Sequence, residues 1–221
     1  MANSQWLMSL VSVPGKEFLQ LAISSMAVRD WLVTEDGQCQ ACDSIGRYEL
    51  SSQYYRLYHF LNDLENILKS EKSDRRRLQL ICPLVRRLLM SSSWLQSTIR
   101  QPDPVTGWSV LKLYDEPFFP WTVQTAVWPP GKPSPIHDHA TWGIVAVIGG
   151  QEKNTFWKRS NDLKLQNRVE KVGEMILSPG DVISFMPDVI HSIEAVGDRP
   201  TITFNVYGEV KGEVIYFNSG E

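Results

Sequence analysis

Hydrophobic positions change their period part-way along the chain. Between Gly15 and Arg100 they recur every three to four residues, and Leu50, Tyr54, Leu57, Leu61, Leu64 and Leu68 would line one face of a helix. A second helical run reads Leu84, Val85, Leu88, Leu89, with Pro83 predicted as its first residue, where a missing N–H costs little. Ser73 and Asp74 are expected to cap the basic segment before it. From about Val105 the period falls to two. Strands are predicted at TVQTAVW, GIVAVI, KNTFWK, EMILS, DVISFM, HSIEAV, TITFNVY and VIYFN, separated by turn signals such as GG, SPGD and VGDRP. The expected fold class is mainly β: a jelly-roll barrel over residues 105–221, with an N-terminal α-helical segment, residues 1–104, packed against it.

Composition narrows the function classes. A chain of 221 residues with 43% hydrophobic and 21% charged residues is ordinary for a globular protein. At this length folding buries roughly 70% of the unfolded surface, so no disulfide or metal staple is needed. A net charge of −3 argues against nucleic acid or an anionic membrane as partner. No apolar run reaches the ~18 residues of a membrane span. The first residues lack the basic and apolar regions of a secretory signal. Three cysteines suggest a reducing compartment, and the expected location is the cytoplasm.

Against that background the histidines stand out. The chain has four, and two of them, His137 and His139, fall two residues apart in PSPIHDHATWG. On a strand, residues i and i+2 point the same way, so both rings would project together with Asp138 turned aside. Two protonated imidazoles would repel, whereas two neutral ones can share a cation. His191, at the head of another predicted strand, is the third candidate ligand. His59 lies in the helical half with no partner in view.

The motif Gly131, then His137 and His139, followed by Gly180, Pro187 and His191, resembles the two motifs of the cupins. More closely, Trp128 spaced before His137–Asp138–His139, the Trp142–Gly143 pair, and Pro200, Ile202, Val206, Tyr207 and Gly208 near the end resemble the thiol dioxygenases, the group of cysteine dioxygenase and 3-mercaptopropionate dioxygenase. The resemblance covers about residues 113–217 and only loosely the helical half, through Trp94–Gln96. It implies a cupin jelly roll holding Fe(II) on His137, His139 and His191, with manganese, nickel or zinc as alternatives in a purified sample. It implies a small-molecule thiol and O2 as reactants, with the thiol oxidised to a sulfinate. The oligomeric state is left open.

Ordinary cupins add a glutamate after the second histidine, where this chain has Gly143 and Ile144. Three neutral imidazoles leave a divalent ion its full charge, which favours an anionic ligand such as a thiolate. Thiolate donation makes Fe(II) easier to oxidise; zinc in the same site would activate water instead. Alternation places Thr203, Asn205 and Tyr207 on one face. The family has a Ser–His–Tyr row there, so Tyr207 is the expected catalytic residue, while Asn205 replaces the histidine. Trp142, Asn205 and Thr203 are expected in the substrate pocket. Gly143 replaces the cysteine that crosslinks to this tyrosine in animal enzymes, so no thioether can form. The family's carboxylate-binding arginines fall at Glu116 and Tyr216, and Lys211, Arg159 or Arg199 are the available substitutes. The reaction class is therefore expected and the substrate left open. Another metal-dependent cupin enzyme acting on a different small anion, or a ligand-binding cupin without turnover, is the alternative. Cys39 and Cys42 form a lone C-x-x-C with no second pair and are expected to be thiols. Arg75–Arg77, Arg86 and Arg87 are expected on a solvated helix face.

Overall fold

The computed structural model describes residues 29–42, 54–92, 94–95, 101–117, 119–160 and 168–219. Leu50 and Gln96 lie outside them. Twelve strands and two α-helices make up the described fold: β1 (Asp30–Val33), β2 (Cys39–Ala41), α1 (Leu57–Ser70), α2 (Asp74–Ser91), β3 (Ser109–Asp115), β4 (Thr122–Trp128), β5 (Ile136–His137), β6 (Gly143–Gly149), β7 (Glu152–Arg159), β8 (Arg168–Leu177), β9 (Val182–Phe185), β10 (Ile190–Ala195), β11 (Thr201–Tyr207) and β12 (Tyr216–Ser219). Seven strands form one sheet in the order β2-β1-β9-β6-β11-β4-β3. The other five close on themselves as β10-β5-β12-β8-β7. The mainly β jelly roll with helices packed outside it is as expected.

The two faces of the larger sheet explain its sequence. β6 reads GIVAVIG without alternation because both faces are covered. Ile144 and Ala146 join Phe204, Val206 and Val123 in a core shared with the helices. Val145 and Val147 turn inward to a second core with Ile183, Phe185, Phe156 and Leu177, which fills the space between the sheets. The α1 face predicted from Leu57 to Leu68 is present, with Phe60 and Leu64 fully buried. Phe60 meets Phe204 of β11 edge to face, ring centres 6.2 Å apart. Tyr54 lies before the helix and is exposed.

Several expectations are corrected. Pro83 does not start a helix: it sits inside α2, an 18-residue helix whose N-cap is Ser73, the hydroxyl accepting from the Arg76 N–H. Packing of Leu78, Ile81, Cys82, Val85, Leu88 and Leu89 against the sheet outweighs the lost backbone bond. Residues 1–104 are not helical throughout, because β1 pairs in parallel with β9 and carries β2 at the sheet's edge. β3 and β5 are strands that periodicity missed, and β8 begins at Arg168, six residues before its predicted start. Arg86 is not on a solvated face. It is buried, ion-paired with Asp30, and donates to the Gly180 carbonyl at 2.9 Å, tying α2 to β1 and to the turn before β9. Arg87 stacks over the Tyr55 ring at 4.3 Å; Arg75 and Arg76 are exposed as expected. Among the described residues no helix is long and apolar enough to cross a membrane.

Candidate metal centre

His137 and His191 are brought together by strand register. β5 and β10 pair antiparallel with His137 directly opposite His191, so both side chains leave the ladder on the same face. His139 arrives differently from the prediction: β5 ends at His137, and His139 lies in the loop beyond it. The chain then turns through Ala140, which has a positive φ of 50° and whose carbonyl accepts from the Lys211 N–H at 3.1 Å. The result is nonetheless convergence. One nitrogen from each of the three rings lies within 4.8 Å of the others, a group able to hold a metal ion.

Asp138, between the two histidines, is turned away and buried. Its carboxylate accepts from the Ile215 N–H at 3.1 Å and faces Arg159 at 3.4 Å, which fastens the chain's last loop beside the centre. Arg159 is thereby engaged outside the centre, its guanidinium over Phe217. Lys211 and Arg199 are exposed, and Glu116 is exposed as well. Tyr216 pairs with His137 across β12 and β5 but is 64% exposed. None of these three cations, Arg159, Lys211 or Arg199, has a hydrogen bond or ion pair to the three rings.

Hydrogen bonds at the far side of two rings commit their tautomers. The His137 Nδ1 lies 2.9 Å from the Pro135 carbonyl, and the His191 Nδ1 lies 3.0 Å from the Asn154 Oδ1. Each acceptor requires Nδ1–H, which leaves Nε2 with a lone pair. The Nε2 atoms of His139 and His191 are 2.9 Å apart. Nitrogens this close share either a proton or a cation. Three neutral imidazoles suit a divalent transition-metal ion, which they would hold with further positions open to other ligands.

Burial keeps all three rings neutral. It pushes His139 down to about 3, with the neighbouring His137 adding repulsion. His191 is held well below the usual histidine range by burial and by both other rings. Burial also lowers His137, against the opposing pull of the Pro135 carbonyl and Asp138.

The remaining predicted residues divide. Tyr207, Asn205 and Thr203 share the inward face of β11, as alternation requires, and the Tyr207 ring centre is 4.8 Å from that of His139. Burial, then the Glu152 carboxyl, pushes the Tyr207 hydroxyl upward, so it keeps its proton. A Cβ on Gly143 would meet the Tyr207 ring at 2.8 Å, which is why the residue opposite it has no side chain. Asn205 is buried, and its Oδ1 has no partner among the described residues. Trp142 is not at the centre. It is buried in the core between sheet and helices, with Trp121, Val123 and Phe204. His59 serves α1, its Nδ1 accepting from the Arg56 N–H at 3.2 Å. The three cysteines are thiols; Cys39 contacts the Met175 sulfur at 3.7 Å, and burial pushes it up to about 11. A surface cleft of about 280 Å³, lined by Trp108, Trp128, Lys132 and Pro135, includes none of the three histidines.

Two residues were missed by sequence reasoning. Asn154 and Glu152 occupy inward positions of β7, two and four residues before Phe156, and are 0% and 3% exposed. The signal was present: polar residues standing at the inward, apolar phase of a strand. Burial pushes Glu152 up to about 7.

No family model matches the chain. Similar solved structures include a cupin-like protein from Thermotoga maritima, 23% identical over 51% of this chain and 77% of that one, with a TM-score of 0.38. An oxalate decarboxylase from Lactobacillus farciminis is 17% identical over 49% of this chain, TM-score 0.39; the match spans only 31% of that enzyme. An oxalate oxidase in complex with glycolate is 13% identical over 53% of this chain and 58% of its own, TM-score 0.39.

Proposed function

We propose that the protein is a mononuclear non-haem Fe(II) dioxygenase that oxidises a small organic thiol to its sulfinate. The observation that carries this reading is the convergence of three neutral imidazoles, with no carboxylate among the described residues joining them, beside a protonated tyrosine. His137, His139 and His191 would hold the metal. When bound, a ferrous ion would supply positions for a thiolate and for dioxygen, and the electrons to begin reducing it. The overall change, RSH + O2 → RSO2H, puts both oxygen atoms on sulfur. Sulfur gives up four electrons, so no external reductant is required.

The protein's own groups have definable parts. Neutral imidazoles add no charge, so the site favours an anionic sulfur over a neutral one. Phe185 packs 4.7 Å from His191 and, with Val145, helps keep water from one side of the rings. The Tyr207 hydroxyl, pushed upward and so protonated, would be available as a hydrogen-bond donor beside the rings. Thr203 and Asn205 would line the deeper part of the same inward face.

A second reading has one observation in its favour. Arg159 is engaged by Asp138, and Lys211 and Arg199 are exposed, so the carboxylate of a cysteine-like substrate has no partner among the cations considered for it. Another metal-dependent cupin reaction on a small anion, or ligand binding without turnover, would suit that arrangement. Oxygen uptake by the ferrous protein, with sulfinate measured across a panel of thiols, separates the readings. Sulfinate formed in 1:1 ratio with O2 supports the dioxygenase; binding of thiol or other anion without oxygen uptake refutes it. Tyr207→Phe should retain metal and fold yet slow turnover by about 100-fold, at the low end of the loss expected for a positioned proton donor.

A further inference from the structure

Behind His191 runs a buried chain of hydrogen bonds that leads away from the metal centre. β7 and β10 pair antiparallel with Asn154 opposite Ile193 and Phe156 opposite His191. Asn154 is thus the diagonal neighbour of His191 on the same face, within side-chain reach. Its Oδ1 lies 3.0 Å from the His191 Nδ1. Its Nδ2 donates to the Glu152 Oε1 at 2.9 Å. His191, Asn154 and Glu152 are 4%, 0% and 3% exposed, so each of these groups must find its partner within the protein.

We infer that Glu152 decides, through the orientation of the Asn154 amide, which nitrogen His191 presents to a metal. An amide can face His191 with either end. If Oδ1 faces the ring, Nδ1 must carry the proton and Nε2 is free to bind a cation. If the NH2 faces it, Nδ1 must accept, the proton moves to Nε2, and the ligand is lost. The Glu152 carboxylate, which can only accept, breaks the tie by taking the hydrogen bond from Nδ2, which aims Oδ1 at His191. Asn154 and Glu152 are therefore positioning residues. Neither touches the candidate metal position; both act through His191. His137 needs no such device, because the Pro135 backbone carbonyl cannot be turned into a donor.

The inference rests on the metal-binding part of the proposed function and is independent of the thiol. It is tested with the full chain in two measurements: Co(II) affinity by chelator competition, and long-range 1H–15N correlation of the histidine rings in metal-free protein, which reports each tautomer. Asn154→Leu removes the acceptor and should weaken Co(II) binding about 10- to 100-fold, with loss of the pure Nδ1–H form of His191. Asn154→Asp keeps an acceptor and should stay within about threefold of the parent. Glu152→Leu should resemble Asn154→Leu although it contacts no ligand, while Glu152→Gln, whose amide can donate to Asn154 as well as accept from it, no longer breaks the tie and should fall between the parent and Glu152→Leu. If Asn154→Leu and Glu152→Leu both bind Co(II) as the parent does and His191 stays in its Nδ1–H form, the inference is overturned. Should a Glu152 variant not fold, the Asn154→Leu and Asn154→Asp pair decides. If the parent binds no Co(II), the proposed function fails, and the tautomers of the metal-free protein still decide for or against the chain of bonds.

Discussion

The buried carboxyl of Glu152 makes a quantitative prediction about stability. Its ordinary value is 4.5, and burial pushes it up to about 7, the Asn154 amide opposing only in part. Between these values the unfolded chain releases the proton and the folded chain keeps it. The folded state then binds more protons, so stability falls as pH rises and levels off above about 7. The gap of about 2.5 pH units corresponds to about 3.4 kcal/mol at about 1.4 kcal/mol per unit. About 1.4 kcal/mol of that is already lost at pH 5.5, leaving about 2 kcal/mol between pH 5.5 and 8.5. Glu152→Gln preserves shape and the acceptor toward Asn154 but has no proton to release. Its stability relative to the parent should therefore grow by about 2 kcal/mol over that interval, or roughly 4–8 °C in Tm for a chain of this size. The assay is urea unfolding of both proteins, metal-free with chelator, at the two pH values. The neutral histidines also make stability pH-dependent, in the opposite sense: they are protonated in the unfolded chain below about 6.5, so stability falls as pH drops. That contribution is common to both proteins and cancels in the difference. A difference that stays flat from pH 5.5 to 8.5 would show that Glu152 ionises as freely in the fold as in the unfolded chain.

Four further outcomes follow from named contacts. A divalent metal at about 100 times its Kd should raise stability by about 2.7 kcal/mol, and His139→Ala should abolish the shift while leaving the metal-free protein folded by circular dichroism. Arg86→Met should cost about 3–5 kcal/mol in denaturant unfolding, because it removes a buried guanidinium's ion pair with the largely covered Asp30 and its hydrogen bond to the Gly180 carbonyl. Gly143→Ala should cost about 1–3 kcal/mol and displace the Tyr207 ring, seen as an altered tyrosine signal in near-ultraviolet circular dichroism, since its Cβ would stand 2.8 Å from that ring. Pro83→Ala should stabilise the protein by up to about 3 kcal/mol if the turn around residue 83 can recover its hydrogen bond; a neutral result would show that the backbone there is held by packing alone.

Much of this protein could be read from local pattern. TVQTAVW coincides with β4 because it is buried more on one face than the other, and TITFNVY with β11 because its apolar residues face the helices and its polar ones the barrel interior, which alternation records directly. Leu64 could be placed in the core from the period of α1, whereas Phe60, equally buried, stands beside the stripe that the period picked out. The histidine trio could be picked out because imidazoles are rare in this chain and their spacing had a chemical meaning. The assignments that failed share a different cause. DWLV is four residues long, too short to carry a period, and becomes a strand only because β9 offers a parallel edge. Arg86 reads as a surface charge until Asp30 and Gly180 are folded against it. Trp142 lies three residues from His139, yet the turn at Ala140 sends it to the opposite side of the sheet.

The division follows from the range of the forces involved. Hydrophobic period, turn residues and the neutral-imidazole chemistry belong to contiguous stretches, so the order of residues was enough for a mainly β chain with three candidate ligands. Which side chains meet depends on register between strands far apart along the chain. His137 faces His191 because β5 pairs with β10, and Asn154 reaches His191 because β10 also pairs with β7. Those pairings, and the burial that keeps the rings neutral and raises the Glu152 carboxyl, exist only once the barrel is closed.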